Sequence, residues 1–337
     1  MRGAPALSAP EVSIDWGLGY EALVGLALFI GGEPDSTYEL GESWFRTLRR
    51  KASPGLRAAA RQLVGKEGYL VIGLAGLLRE ASAKSAAALV GRMRRDSSGE
   101  TKRGLLHSDQ AMVEALLRRD NEAEEKYIDH FRPASRAAVR RLIGMDPAKL
   151  AAEAADLVER WDEEVFSEIG PTLAEELEAS AHAAARLLRQ LPGDRLIVKL
   201  TRGVDYRPEP WISSVVLVPT ILSRPWVDIT EYGGTKFFFY PASTGAVPDT
   251  QLVEVYKALG DETRLRILRL LATGVNSLTE IAEKLGLAKS TVHQHMVVLR
   301  TAGLTRSVVG SEGKRYELNE RPDLNSLLDT YLGPGVT

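Results

Sequence analysis

Residues 277–304 read SLTEIAEKLGLAKSTVHQHMVVLRTAGL, and this stretch decides the fold of the C-terminal part of the chain. Ser277 and Glu280 have the spacing of a capping box, which marks the start of a helix. The apolar residues that follow predict a helix over Leu278–Leu285 and, after a short turn containing glycine, a second helix over Lys289–Thr301. Two helices joined by such a turn form a helix-turn-helix.

The segments on either side of this stretch extend the pattern. Upstream, leucine and isoleucine at helical spacing predict helices over Gln251–Leu259 and Glu262–Ala272. Downstream, Thr305–Val309 and Lys314–Leu318 are predicted strands that flank the turn Gly310-Ser311-Glu312-Gly313. A helix-turn-helix followed by a β-hairpin is a winged helix, and its second helix enters the major groove of DNA.

The second helix of this motif is predicted to have an apolar and a polar face. Val292, Met296 and Leu299 follow helical spacing and are expected to face the core. Glutamine can read adenine and lysine can read guanine in the major groove, while hydroxyls at a helix N-terminus suit phosphate contacts. The positions expected to face outward are Lys289, Ser290, His293, Gln294 and Val297, with Thr291 beside them as a phosphate contact.

Basic residues concentrate in the same segment, although the 337-residue chain has a net charge of −2. Between residues 284 and 315 the acidic residue is Glu312, and the basic ones are Lys284, Lys289, Arg300, Arg306, Lys314 and Arg315. A local basic face attracts the phosphate backbone. We therefore predict that double-stranded DNA is a partner, bound through Lys289, Ser290, Thr291, His293, Gln294, Arg300, Arg306, Lys314 and Arg315.

Four motifs in this order resemble the ArsR family of bacterial winged-helix regulators, over about residues 249–319. They are LGDETRLRIL at 259–268, LTEIA at 278–282, STVHQHM at 290–296 and LRTAGL at 299–304. The resemblance implies a dimer that binds a near-palindromic operator, usually as a repressor. It also implies a dimer interface built from the helix Gln251–Leu259 and a helix over Pro322–Leu332.

The residues with which members of this family sense metals are missing. Some members carry cysteines in the helix before the recognition helix, and the matching stretch Asn276–Leu285 has none. Others use histidine near the C-terminus, and Pro322–Thr337 has none. We therefore predict no metal and no cofactor. His295 occupies a position that is often histidine in the family, and it is interpreted as a packing or phosphate-contacting residue.

The N-terminal part of the chain is predicted to be a separate α+β domain over residues 1–247, mostly helical with a small antiparallel sheet. A strand at 12–16 leads into a helical region over 17–191, and β-branched and aromatic runs predict strands over 195–241. The strand at 12–16 is expected to be able to join that sheet. The winged helix follows at 248–320, and 321–337 forms a C-terminal helix that the family resemblance assigns to the dimer contact.

Composition excludes several classes of protein. The chain is 44% hydrophobic and 26% charged, which is typical of a globular protein. Its longest apolar stretch, Ala22–Ile30, is shorter than the roughly 20 residues of a spanning helix, and no apolar run follows the N-terminal charge. Cysteine is absent, which excludes disulfides and thiolate sites. We expect a cytoplasmic protein with no membrane partner and no signal peptide.

No motif in the N-terminal part predicts an enzyme. His107, His130 and His182 lack metal-ligand spacing, and no phosphate-binding glycine loop is present. The basic runs at Lys51 and Arg92–Arg95 are interpreted as exposed helix faces. Three readings of this region stay open: a sensor for a small non-metal ligand that controls the DNA-binding module, a protein-docking and dimerisation body, and an enzyme fused to a DNA-binding tail. The sensor is favoured because the DNA-binding module does not need a preceding segment of this length for folding or solubility.

Overall fold

The computed structural model describes residues 9–243 and 251–319, together with Leu328 and Tyr331. The chain forms two compact units. Among the described residues, the first consists of residues 10–185 and 211–243, and the second of residues 186–210 and 251–319. Both units combine helices with a small sheet, so the chain is an α+β protein as predicted.

The first unit is built mainly from helices. Several begin at a side-chain cap, as at Ser53, Ser85 and Asp146, whose oxygens accept a backbone N–H of the first turn. A short 3₁₀ turn lies at Asp35–Thr37 and a π-helical segment at Asp162–Phe166. The helices are α1 (Leu18–Ile30), α2 (Gly41–Lys51), α3 (Pro54–Val64), α4 (Tyr69–Ile72), α5 (Ala75–Arg79), α6 (Ala86–Arg94), α7 (Glu100–Leu106), α8 (Gln110–Leu117), α9 (Asn121–Asp129), α10 (Pro133–Gly144), α11 (Pro147–Trp161) and α12 (Ser167–Leu188).

Helix α1 is the centre of this unit. Residues 19–28 are buried on every side, because the helix has apolar residues almost all round. Trp161 at the end of α11 is fully buried against α1, and its indole N–H donates to the carbonyl of Ala22 at 2.9 Å. Two half-buried residues, Phe29 and Ile30, end the helix.

The sheet of the first unit is mixed rather than antiparallel. Its strands are β1 (Glu11–Ile14), β3 (Ser214–Thr220), β4 (Asp228–Tyr232) and β5 (Thr235–Pro241), in the order β1-β3-β5-β4. Strand β1 pairs parallel with β3, so the predicted N-terminal strand does join the sheet, and β3 pairs parallel with β5. Among the described strands of this sheet, the antiparallel pair is β4 and β5, which form a hairpin through Gly233-Gly234. Residues 221–227 connect β3 to β4, which lies at the outer edge of the sheet. The chain then returns through β5, which lies between these two strands and therefore runs parallel to β3.

The second unit contains the winged helix and an upstream segment that the sequence assigned elsewhere. Its elements are α13 (Gly193–Leu200), β2 (Val204–Tyr206), α14 (Gln251–Leu259), α15 (Glu262–Ala272), α16 (Leu278–Leu285), α17 (Lys289–Thr301), β6 (Thr305–Gly310) and β7 (Gly313–Leu318). Helices α14–α17 have the predicted bounds. A three-stranded sheet has the order β2-β6-β7, with β2 parallel to β6.

The prediction of a strand at 195–200 was wrong. Leu196, Val198 and Leu200 alternate, but the neighbours Leu196 and Ile197 are both buried, as on one face of a helix and not on a half-buried strand. The compact units accordingly do not coincide with the predicted boundary at 247, since 186–210 groups with the winged helix. The predicted helix over Pro322–Leu332 lies outside the described residues, except that Leu328 and Tyr331 are helical and exposed.

Within the described ranges, no helix combines the length and the apolar character needed to cross a bilayer. The same part of the chain holds no group of three or more histidine, aspartate or glutamate side chains arranged to bind a metal ion.

Candidate DNA-binding surface

The helix-turn-helix is fixed by local caps and by a shared core. The hydroxyl of Ser277 accepts the N–H of Glu280 at 3.1 Å, which starts α16 as the capping-box spacing predicted. Gly286 ends α16 with φ +68°, a left-handed conformation that suits glycine. Ile281 of α16 packs with Val292 and Met296 of α17 in one buried cluster, which holds the second helix in place. The orientation of α17 is therefore set by core packing.

The N-terminal half of α17 presents polar side chains to solvent. Lys289 and Ser290 are exposed, and Thr291, His293 and Gln294 are partly exposed. This matches the outward face that helical spacing predicted, because the apolar residues between them point into the core.

The structure buries Val297, which was predicted to face outward, and Arg300, which was predicted to contact DNA. Val297 is 6% exposed and Arg300 is 5% exposed. The guanidinium of Arg300 donates to the carbonyl of Thr201, and to that of Arg202 at 3.1 Å. Both carbonyls lie just after α13, so Arg300 binds the C-terminal end of that helix instead of facing DNA.

Burial changes the electrostatics of Arg300 without discharging it. Desolvation lowers the pKa of the guanidinium to about 10, which leaves it charged at neutral pH. Gly203 follows Arg202 directly in the chain. A β-carbon at position 203 would lie 3.2 Å from Cγ of Arg300. Glycine at 203 therefore allows the turn after α13 to approach α17 closely.

The wing carries the remaining predicted cations. Lys314 and Arg315 are exposed on β7, and Arg306 on β6 is partly exposed. Arg315 pairs with Glu312 at 2.7 Å, and Arg306 pairs with Glu317 at 2.6 Å. Such exposed pairs are weak and are readily exchanged for phosphate contacts.

The structure brings Lys314 of the wing next to the recognition helix. Its Nζ lies 3.5 Å from Nε2 of His293 and 5.3 Å from the centre of the Tyr316 ring. Lys314 and His293 thus belong to one surface with Lys289, Ser290 and Gln294. We call this set, together with Thr291, the α17 face.

The sequence reasoning missed a third strand of the wing sheet. Strand β2 pairs with β6, and the N–H of Ser307 donates to Gly203 at 2.8 Å while the N–H of Arg207 donates to Val309 at 2.7 Å. The alternation at Val204-Asp205-Tyr206 is a strand signal, but a single sequence does not say with which distant strand it pairs.

His295 is partly buried beside the start of α15. Its Nδ1 lies 3.9 Å from a carboxylate oxygen of Asp261, the N-cap of α15, and burial lowers the pKa of the imidazole. Asp261 accepts the N–H of Arg264 at 2.9 Å, and this bond holds the pKa of its carboxyl below the usual value. These contacts agree with the interpretation of His295 as a packing residue.

A winged helix with an exposed polar recognition face defines a DNA-binding protein, and comparison with known proteins agrees. The family described as "Bacterial regulatory protein, arsR family" matches residues 261–307. The HTH-type transcriptional regulator YceK of Bacillus subtilis is 36% identical over 100 residues, which cover 29% of this chain and 94% of that protein. The HTH-type transcriptional regulator KmtR of Mycobacterium tuberculosis is 33% identical over 98 residues, covering 27% of this chain and 75% of KmtR. No solved structure matches the chain significantly.

The chain therefore belongs to the arsR family of bacterial regulatory proteins, as the sequence motifs predicted. It is a DNA-binding transcriptional regulator. Each of these two relatives covers less than a third of the chain.

Proposed function

We propose that this protein is a dimeric repressor that binds a near-palindromic operator through the α17 face and is controlled by a small non-metal ligand held in the first unit. The observation that carries the DNA-binding part is the solvent-facing set of polar side chains between Lys289 and Gln294, with Lys314 of the wing beside His293. The protein acts in the cytoplasm as a regulator and not as an enzyme.

The operator is read by Gln294, and the wing holds the phosphate backbone. Gln294 lies in the N-terminal half of α17, where recognition helices reach base edges. Lys314 is exposed on β7, and a lysine in that position contributes charge without reading sequence. Fluorescence anisotropy tests this proposal. It compares the affinity of the protein for a duplex from the gene's own upstream region with its affinity for a scrambled duplex, at two salt concentrations.

Replacing Gln294 by alanine relaxes sequence preference. Gln294→Ala is expected to cost about 1–3 kcal/mol on the native duplex and little on the scrambled one, since a bidentate contact to adenine is lost. The matched control is Gln62→Ala, an exposed glutamine on α3. Equal weakening on both duplexes would contradict base reading by Gln294.

Replacing Lys314 by alanine weakens binding to every duplex alike. The slope of log affinity against log salt is expected to fall by about one, because one phosphate contact is lost. Lys149→Ala removes an exposed lysine of α11 and serves as the control. If Lys314→Ala abolished preference while keeping the salt slope, this division of roles would be wrong.

Exposed apolar side chains support the dimer. Tyr256 on α14 is 51% exposed and Leu265 on α15 is 48% exposed, and Leu328 and Tyr331 in the C-terminal segment are also exposed. Large apolar groups open to solvent on a small unit favour a protein contact. Helix α14 and the C-terminal segment are the two elements that the family uses for its dimer interface.

A further inference from the structure

A surface cleft in the first unit is lined by arginines of α2 and α3. One cavity of about 270 Å³ is bordered by Asp35, Glu42, Arg46, Arg49, Arg50 and Arg57. A second, of about 230 Å³, shares Arg49 and Arg57 with it and reaches Arg61 and the end of α1. The two cavities therefore adjoin at the shared arginines. We call them together the arginine cleft.

The cleft has more positive than negative charge. Five arginines line it against the two carboxylates of Asp35 and Glu42. Asp35 is already held by Arg49 through a two-pronged contact, one bond of which is 2.6 Å long. Glu42 lies 4.0 Å from Arg46, and both side chains are largely exposed, so that pair is weak. An excess of cationic groups is left to face the cleft.

Three of these arginines have no carboxylate partner within the described residues. One nitrogen of Arg57, Nη2, donates to the carbonyls of Arg49 at 2.5 Å and Ala52 at 3.2 Å. This fixes the guanidinium across the end of α2 without neutralising it. Arg50 and Arg61 are exposed and form no ion pair within the described residues. A fork of guanidinium N–H groups suits a phosphate or a carboxylate.

One wall of the cleft is apolar. Phe29 and Ile30, the last residues of α1, and Ala60 of α3 line the second cavity beside Arg57 and Arg61. Phe29 is only half-buried and stands against Trp161, with ring centres 5.3 Å apart. The apolar surface at the end of α1 is thus left open beside Arg57 and Arg61.

We propose that the arginine cleft binds a small anion that carries an apolar or aromatic group. Its phosphate or carboxylate is held by Arg50, Arg57 and Arg61, and its apolar part lies on Phe29, Ile30 and Ala60. The volume of each cavity suits a small molecule. This proposal names the chemical class of the effector in the proposed function. It rests on the proposed function only for the effect of ligand binding on DNA affinity.

Calorimetric titration of the full chain with four probes tests the site. Naphthyl phosphate and naphthoate carry both features, inorganic phosphate has the charge alone, and naphthalenemethanol has the ring alone. Saturable binding of either charged naphthyl probe, at least tenfold tighter than inorganic phosphate and the neutral alcohol, is the expected result. The stronger of the two charged probes identifies the head group. Binding of the alcohol as tight as that of both anions, or no binding of either anion, overturns the proposal.

Matched variants locate the binding. Arg50→Gln combined with Arg61→Gln is expected to weaken the preferred probe about tenfold or more, because charge-assisted hydrogen bonds are lost. Arg95→Gln combined with Arg118→Gln removes two exposed arginines elsewhere in the same unit and is expected to change nothing. Ile30→Ala is expected to weaken the naphthyl probe but not inorganic phosphate. Equal effects of the two double variants would place the anion outside the cleft.

Operator anisotropy with and without the preferred probe separates the site from its proposed role. A probe that binds at the cleft and shifts DNA affinity supports both the binding site and its role in effector control. Binding at the cleft with unchanged DNA affinity supports the site and removes effector control from the proposed function. Failure of the chain to bind DNA at all bears on the proposed function and leaves the calorimetric result intact.

Discussion

Arg300→Met is expected to lower the free energy of unfolding of the second unit by about 3 kcal/mol. The methionine keeps much of the side-chain volume but leaves the carbonyls of Thr201 and Arg202 without their donor in a buried site. Each buried polar group that loses its partner costs about 1–3 kcal/mol. The same change is expected to weaken DNA binding, since α17 then loses its contact with the end of α13.

Urea unfolding followed with two probes checks this prediction. The tryptophans Trp16, Trp44, Trp161, Trp211 and Trp226 all belong to the first unit, so their fluorescence reports on that unit. Far-ultraviolet circular dichroism reports on both units. The variant should shift the dichroism transition and leave the fluorescence transition in place.

Arg306→Met is the control for Arg300→Met. Arg306 is 40% exposed and pairs with an equally exposed Glu317, so its loss should cost about 1 kcal/mol or less. Unchanged stability in Arg300→Met would show that the cost of burying the guanidinium cancels its hydrogen bonds.

Glu21→Gln is expected to stabilise the first unit at pH 8 by up to about 3 kcal/mol, less the cost of burying an amide N–H group where Oε2 has no hydrogen-bond partner among the described residues. Glu21 lies in α1 and is 1% exposed, and its Oε1 accepts the N–H groups of Ile221 at 2.9 Å and Leu222 at 2.8 Å. Burial raises the pKa of this carboxyl from 4.5 to about 7. A neutral amide keeps an oxygen acceptor and avoids burying a charge, and a shift of this size corresponds to about 3 kcal/mol.

The same shift fixes the pH dependence. Between about pH 4.5 and 7 the folded protein holds a proton on Glu21 that the unfolded chain has released. The contribution of Glu21 to stability is therefore lost as the pH rises through this window, and it stays unfavourable above it.

Urea unfolding followed by tryptophan fluorescence from pH 4.5 to 8 should show this loss in the wild type and a flatter profile in Glu21→Gln. Glu42→Gln alters an exposed carboxylate and should leave the profile unchanged. Parallel profiles for the wild type and Glu21→Gln would contradict a raised pKa at Glu21.

Local signals were enough to predict the helix-turn-helix. The cap at Ser277, the glycine after α16 and the apolar spacing of α17 all act within a few residues, so the bounds of both helices and five of the side chains on the α17 face follow from them. The position of Arg300 did not follow. Arg300 follows Met296 by one helical turn, at the edge of the inward face of α17, but its partner Thr201 is 99 residues away in sequence.

Local sequence patterns also leave undecided the other elements in which the structure differs from the prediction. Alternation at 196–200 fits both a strand and one side of a helix, and burial of the adjacent pair Leu196 and Ile197 decides for the helix. The hairpin through Gly233-Gly234 was predictable from its turn, whereas the parallel pairing of β3 and β5 depends on a connection that passes over a strand. The basic run at Lys51 was interpreted as an exposed helix face, and periodicity could not show that arginines of α2 and α3 line the same cleft.

Because β2 pairs with β6, the winged-helix unit cannot be separated from the rest of the regulator by dividing the sequence at one point. A gene fragment beginning near residue 248 would encode all four helices of the winged helix but not the strand that covers one side of β6. Its product would expose an unpaired sheet edge, which invites association between copies. Exchange of DNA-binding modules between regulators of this architecture therefore requires two junctions, because residues 186–210 have to travel with the C-terminal part. During synthesis, the wing sheet also stays incomplete until the ribosome has passed β6, long after β2 has emerged.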